Sequence, residues 1–175
     1  MEKKDSLRLE RLIFKHVTKN CYLIADAYDG QYIKQCTREF LKCCSGQLSD
    51  TVMIKNTIIG IGGNANLLAY VGHDGLMDFQ LSDKYLNTDN RKRDVIILAC
   101  YSKMFFSPYL KSANIHPLIW TTGLMCPEAY TLHDAMTGYV ANESNEQIRA
   151  RAVSAYSKYQ KCSETAARKL LVSSW

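Results

Sequence analysis

Apolar residues along the chain fall into short runs that end in polar residues. Two runs set the pattern. Residues 67–72 (LLAYVG) stop at His73-Asp74-Gly75, and residues 95–99 (VIILA) stop at Cys100-Tyr101-Ser102-Lys103. Each run lacks charge and lacks alternation, which predicts a strand buried on both faces of a parallel sheet. The eighteen residues from Leu76 to Arg93 are long enough for a crossover between two parallel strands.

The remaining periodicities fill in the order. Residues 1–19 carry Leu7, Leu9, Leu12, Ile13 and Val17 at roughly helical spacing, and predict a surface helix or an arm. Residues 21–28 (CYLIADAY) predict a first buried strand, closed by an Asp29-Gly30 turn. Ile33, Cys36, Phe40, Leu41 and Cys44 recur at three and four residues, so a helix spans about 31–44 and stops at Ser45-Gly46. Residues 51–54 suggest a short edge strand. Met104, Phe105, Phe106, Tyr109 and Leu110 suggest a short helix, and residues 116–122 another strand. Pro127-Glu128 opens a helix that runs to about Val140. Asn142 is the expected cap of a last helix from Glu143 to about Leu171, with a break near Cys162-Ser163 where Ser163 caps a second segment. This alternation predicts a single α/β domain over residues 1–175, with a mainly parallel sheet in residues 20–125 and helices in 127–175.

Composition changes this picture little. At 175 residues the chain is long enough for one real core. The net charge of +5 is spread over both ends, with no basic stripe interleaved with aromatics, so no nucleic-acid partner is expected. The triplet Arg91-Lys92-Arg93 reads as solvated. No run is long enough for a membrane span. The seven cysteines form no CxxC pair and include an adjacent Cys43-Cys44, which points to mostly buried free thiols in a reducing compartment. The first residues show no apolar signal region, so a cytoplasmic location is expected. A leader missing from a longer reading frame would change that.

The candidate chemistry sits at the two strand ends. A parallel sheet gathers the residues just past its strands at one crevice, and adjacent strands lie about 4.8 Å apart. Cys100 can serve there as nucleophile and His73 as proton carrier. Backbone N–H groups at Asp74, Gly75 and Cys100 are candidate oxyanion donors. Asp26 is expected to end the first strand and face the same crevice. Asp74 and Asp78 flank His73 and can orient it or bind a basic substrate group, and Ser102 and Lys103 can shape the pocket. A metal site of His73, Asp74 and Asp78 fits no familiar ligand spacing, so no metal is expected. Gly60, Gly62 and Gly63 suggest a phosphate-cradling loop over residues 60–66, but the pattern is GxGGxA and no GK[ST] follows. A bend or tight packing explains these glycines equally well.

The blocks Ile97-Leu98-Ala99-Cys100-Tyr101-Ser102 and Val71-Gly72-His73-Asp74-Gly75 resemble those of the caspase-like cysteine peptidases, the group of caspases, legumains, clostripains and gingipains. Met104-Phe105 is similar to the legumain continuation. Asp74 departs from the pattern by separating histidine from glycine. GHDGLMDF and TTGLMCPEAYTL also look like stretches of bacterial proteins that carry no established activity. The resemblance covers about residues 20–125. It implies a three-layer caspase-like domain, a Cys100–His73 dyad, hydrolysis of peptide or protein substrates and no cofactor. Two rival expectations are a catalytically inactive binding module on the same fold and a nucleotide-binding α/β domain using residues 60–66. The oligomeric state is open.

Overall fold

The computed structural model describes residues 7–173 and 175. In chain order the strands and helices are β1 (Arg8–Lys15), β2 (Tyr22–Tyr28), α1 (Ile33–Cys44), β3 (Ser49–Ile54), β4 (Thr57–Gly62), β5 (Leu67–Val71), β6 (Asp94–Leu98), α2 (Ser102–Ser112), β7 (Trp120–Thr121), α3 (Ala129–Val140), α4 (Asn145–Gln160), α5 (Glu164–Leu170) and β8 (Leu171–Val172). Single turns of 3-10 helix cover Gly30–Tyr32 and Gly75–Met77. The class is mixed α/β.

The centre is the parallel pair β5–β6, in register from Leu67 opposite Asp94 to Val71 opposite Leu98. Val95, Ile96, Ile97, Leu98 and Ala99 have no exposed surface. Odd and even positions serve different faces, as strand geometry requires. Val95, Ile97 and Ala99 pack with Leu41 and Cys44 of α1 and Phe106 and Leu110 of α2. Ile96 and Leu98 pack with Ala135 of α3, Ile148, Ala152 and Val153 of α4 and Ala167 of α5. Each large aliphatic side chain buried this way contributes about 1.5–3 kcal/mol. The missing alternation in VIILA thus has its physical cause: helices cover β6 on both sides.

The sheet is less parallel than its sequence suggests. Among the described residues the strands form four two-stranded pairs, and β1–β2, β3–β4 and β7–β8 are antiparallel. A parallel bridge between Ile96 and Ile119 adds a partial third strand beside β6, held by Ile97 N–H to Ile119 O and Leu118 N–H to Val95 O, both 2.8 Å. The connection after β5 contains one 3-10 turn and otherwise irregular chain up to Arg93.

Several local expectations need correction. Residues 8–15 are a strand, not a helix. Antiparallel pairing with β2 and the Arg11–Asp26 contact across it outweigh a rough helical spacing. The part of that expectation on residues 1–6 lies outside the described residues. β2 is half-buried in this hairpin rather than a core strand. Asn142 does not cap the last helix. It takes a left-handed conformation after α3 (φ 57°), and Ser144 caps α4 in a capping box with Gln147. Ser163 does cap α5, accepting from Ala166 N–H. Gly46 follows α1 with φ 76°, the left-handed stop that favours glycine.

Arg93 is the largest departure from its expected setting. It is buried, not solvated. Its Nε donates to Gly63 O at 2.6 Å, its Nη1 to Asp89 Oδ1 at 3.0 Å, and its Nη2 to Asp89 Oδ2. The guanidinium holds the Asp89 carboxyl below its usual range. The pair ties the loop before β6 to the loop after β4. All seven cysteines are free, but only Cys44 is fully buried, and Cys126 is exposed. Among the described residues no helix is long and apolar enough to cross a membrane.

Truncating Arg93 leaves the buried Gly63 carbonyl without its donor and empties the space its side chain fills, while Asp89 is left facing solvent. Arg93→Ala should lower the unfolding free energy by about 3 kcal/mol. Urea unfolding of the two proteins measures the difference. Arg93→Lys should recover only part of it, because an ammonium cannot span Gly63 O and both Asp89 oxygens as a planar fork does.

Candidate functional site

The β5–β6 register carries His73 and Cys100 to matching positions. Each lies two residues beyond the last pair, Val71 and Leu98, at the carboxyl ends of neighbouring parallel strands. Gly72 N–H still donates to Leu98 O at 3.1 Å. Gly72 itself has φ 150°, a conformation glycine tolerates, and there the chain leaves the ladder. Tyr70 Oη donates to the His73 carbonyl at 2.8 Å and so fixes the backbone at that point.

The His73 ring is exposed, and its Nε2 donates to Asp78 Oδ2 at 2.6 Å. A carboxylate only accepts, so Nε2 carries the hydrogen and Nδ1 is the ring atom left to take a proton. Asp78 is placed by the intervening turn. Asp74 Oδ1 accepts from Leu76 N–H at 3.0 Å, Met77 N–H donates to Asp74 O, and Asp78 N–H donates to Gly75 O. Asp78 is therefore the partner of the histidine.

Asp74 is fully buried, and its Oδ2 has no hydrogen-bond partner. Burial pushes its carboxyl up to about 6, against the opposing pull of the Leu76 N–H. Gly75 is buried too. A Cβ there would stand 2.7 Å from the Phe79 ring and 3.0 Å from Ile33 Cγ1. Packing against Phe79 therefore accounts for glycine at 75 without a substrate.

Cys100 is half-buried between β6 and α2. Its thiol donates to Met125 O at 3.5 Å, and Met125 N–H approaches the sulfur at 3.4 Å. The next residue, Tyr101, is left-handed (φ 49°, ψ 28°), which costs about 1–2 kcal/mol for a side chain with a Cβ. That conformation lets the chain pass from β6 straight into α2. It is held by Tyr101 N–H to Gly123 O at 2.9 Å. Ser102 is fully buried: its hydroxyl donates to Ile97 O at 3.1 Å and accepts from Thr121 N–H at 2.9 Å, and Thr121 Oγ1 donates to Ala99 O. Ser102 thus clasps the start of α2 to β7 and faces no solvent. Lys103 places its ammonium 5.6 Å from the centre of the Trp120 ring.

Asp26 does not end its strand, since β2 continues to Tyr28. Its two oxygens accept from Arg11 Nε at 2.6 Å and Nη2 at 2.7 Å, inside the β1–β2 hairpin. The β5–β6 register thus sets His73 and Cys100 at the same end of neighbouring strands, with Asp74, Gly75 and Asp78 in the turn that follows His73, while Asp26 and Ser102 are occupied elsewhere. Tyr70, Thr121 and Met125 were not singled out in the sequence. The signal for Tyr70 and Thr121 was a hydroxyl on an otherwise apolar strand, which needs a partner. Met125 carried none.

In the glycine loop, the N–H groups of Gly63, Asn64 and Ala65 donate to Leu48, Ile61 and Gly62 carbonyls. Gly63 O receives Arg93, and Asn64 receives Arg91. The chain's own groups take the amides that a phosphate would need. Two shallow surface hollows lie elsewhere. One of about 260 Å³ is lined by Lys111, Asn114, His116 and Trp175, and one of about 210 Å³ by residues 15–20.

A carboxyl whose folded pKa lies above its unfolded value of about 4 stabilises the fold relative to its ionised form at low pH. That stability is present below about 4 and is lost as pH rises through about 6. Asp74→Asn keeps the acceptor for Leu76 N–H and cannot ionise. The melting temperature of the variant minus that of the wild type should therefore be more positive at pH 7.5 than at pH 4.5, by the equivalent of about 2 kcal/mol. Equal differences at the two pH values would show that Asp74 ionises without cost. Gly75→Ala should lower the melting temperature at both pH values, through its clash with Phe79.

No family model matches the chain, and no match is found among curated proteins or solved structures.

Proposed function

We propose that the chain is a thiol hydrolase of the caspase-like type, cleaving peptide bonds with Cys100 as nucleophile and His73 as proton carrier. One observation carries the reading: the paired placement of Cys100 and His73 past the ends of β6 and β5, with Asp78 hydrogen-bonded to the imidazole Nε2. In the proposed reaction Nδ1 of His73 takes the thiol proton, and the sulfur attacks the scissile carbonyl. The imidazolium, steadied by Asp78, then returns the proton to the leaving amine. Water, with the same imidazole as base, releases the acyl group from sulfur. Backbone N–H groups of Asp74 and Gly75 are the candidate donors to the oxyanion, and Lys103, in the first turn of α2, is a candidate to meet the substrate. Helices on both faces of β6 are what supports a three-layer caspase-like arrangement.

A second reading is a binding module that retains the sheet without the reaction. The contact between Cys100 Sγ and both backbone groups of Met125 favours it, because an attacking sulfur must leave that contact.

Alkylation separates the two. Burial pushes the Cys36 and Cys43 thiols up to about 11 and Cys44 well above its ordinary value, so these three stay quiet near neutral pH. Exposed Cys126 is the internal reference. Under limiting iodoacetamide, mass spectrometry should find Cys100 modified faster than Cys126, and His73→Ala should remove that advantage. Hydrolysis of a fluorogenic peptide mixture should vanish in Cys100→Ala and fall roughly 10²–10⁴-fold in His73→Ala. Activity that survives Cys100→Ala sinks the mechanism. Cys100 labelling no faster than Cys126, with no hydrolysis, leaves the binding module.

A further inference from the structure

Two large apolar side chains stand in water beside the Cys100 sulfur. The backbone of Tyr101 anchors both. Its N–H donates to Gly123 O, and its carbonyl accepts from Met104 N–H, each at 2.9 Å. Leu124 follows Gly123 and precedes Met125, whose N–H lies 3.4 Å from Cys100 Sγ. Leu124 is 68% exposed and Met104 70%. Residues close to them in sequence do find the interior. Met125 packs with Leu98 and Ile119, and Phe106 packs with Ile97. The chain thus buries Met125 and Phe106 and leaves Leu124 and Met104 uncovered.

Charge is absent from the same wall. Residues 97–102 (ILACYS) and 121–127 (TTGLMCP) contain no acidic or basic side chain. The ammonium of Lys103 lies 5.6 Å from the centre of the Trp120 ring, a cation held against an aromatic face. On the His73 side, Asp78 is already engaged by the imidazole. A substrate carboxylate or guanidinium pressed between Leu124 and Met104 would lose water without gaining a partner. A large uncharged side chain would instead remove its own apolar surface and theirs from water together.

Taking Cys100 as the attacking sulfur, as in the function proposed above, we propose that Leu124 and Met104 set the substrate class. They receive a large apolar side chain, such as leucine, methionine or phenylalanine, on the residue that precedes the cleaved bond. Acidic and basic side chains are disfavoured there.

Two measurements on the full chain test this, one of them without hydrolysis. N-hexyl-iodoacetamide and iodoacetamide are used separately to alkylate Cys100, and each rate is divided by the same reagent's rate with free cysteine. The hexyl reagent should be about tenfold faster on this scale. Leu124→Ser and Met104→Ser should each remove much of that advantage. For peptides that differ only before the scissile bond, kcat/KM for leucine should exceed that for aspartate or arginine about tenfold. Leu124→Ser should narrow the gap by raising KM for the leucine peptide. Both side chains are exposed, and unchanged melting curves establish that the variants fold. A hexyl advantage that depends on Leu124, with no peptide cleaved, removes the hydrolase and leaves a surface that binds apolar side chains. Cleavage that favours aspartate or arginine overturns the proposal while the hydrolase stands. A hexyl reagent with no advantage, or with one indifferent to both substitutions, overturns it as well.

Discussion

The desolvation of β6 on both faces is the constraint from which the rest of the architecture follows. A strand with one wet face needs a single covering layer, whereas Val95 to Ala99 have no wet face. Two groups of helices must therefore meet at one strand, α1 and α2 on one side and α3 to α5 on the other. Backbone groups in such a strand must also find partners without water. β5 satisfies one edge, and the stretch around Leu118 and Ile119 satisfies the other. The antiparallel hairpins β1–β2 and β3–β4 can lie outside this unit because they satisfy their own ladders.

The same dryness governs the polar residues at the top of the strand. Ser102, Thr121 and the carbonyls of Ile97 and Ala99 form a closed hydroxyl cluster that fastens α2 to β7. Tyr70 does the equivalent for His73 through its carbonyl. Asp74 Oδ2 stands out against this accounting, a buried oxygen with no partner two bonds from one that is well bonded. Its setting raises the carboxyl pKa while leaving the turn that carries Asp78 intact. The turn after His73 thus carries two carboxyl groups in unlike surroundings, Asp78 in solvent against the imidazole and Asp74 in the interior.

What the sequence conveyed depended on whether a local signal had a local cause. The unbroken VIILA run has one meaning in a folded chain, and its position and burial were legible. So was the helix over 33–44, whose apolar stripe faces β5, and so was Ser163, whose hydroxyl caps a helix that begins next to it. Residues 8–15 were misleading, because Leu12-Ile13-Phe14 satisfies no clear period and the deciding partner, β2, lies beyond a turn. Arg93 looked solvated within a basic triplet. Its burial depends on Gly63, thirty residues away, and on Asp89, four residues away, which together complete its hydrogen bonds. At the candidate site the positions of His73 and Cys100 at strand ends were readable from where each apolar run stopped. The separate roles of Asp74 and Asp78 were not, since spacing along the chain does not say which carboxylate folds inward.

The short pairing of β7 with β8 ties the surroundings of the thiol to chain made much later. Leu171 lies opposite Thr121, the residue that fastens the segment after Cys100, and Arg149 of α4 grips the Leu171 and Arg168 carbonyls. A ribosome reaches Leu171 about seventy residues after it has passed Cys100. Until then β7 lacks its neighbour and the even face of β6 lacks α4 and α5. The nascent polypeptide therefore holds its sulfur in an unfinished wall, and completion of that wall waits on loop closure over a long separation.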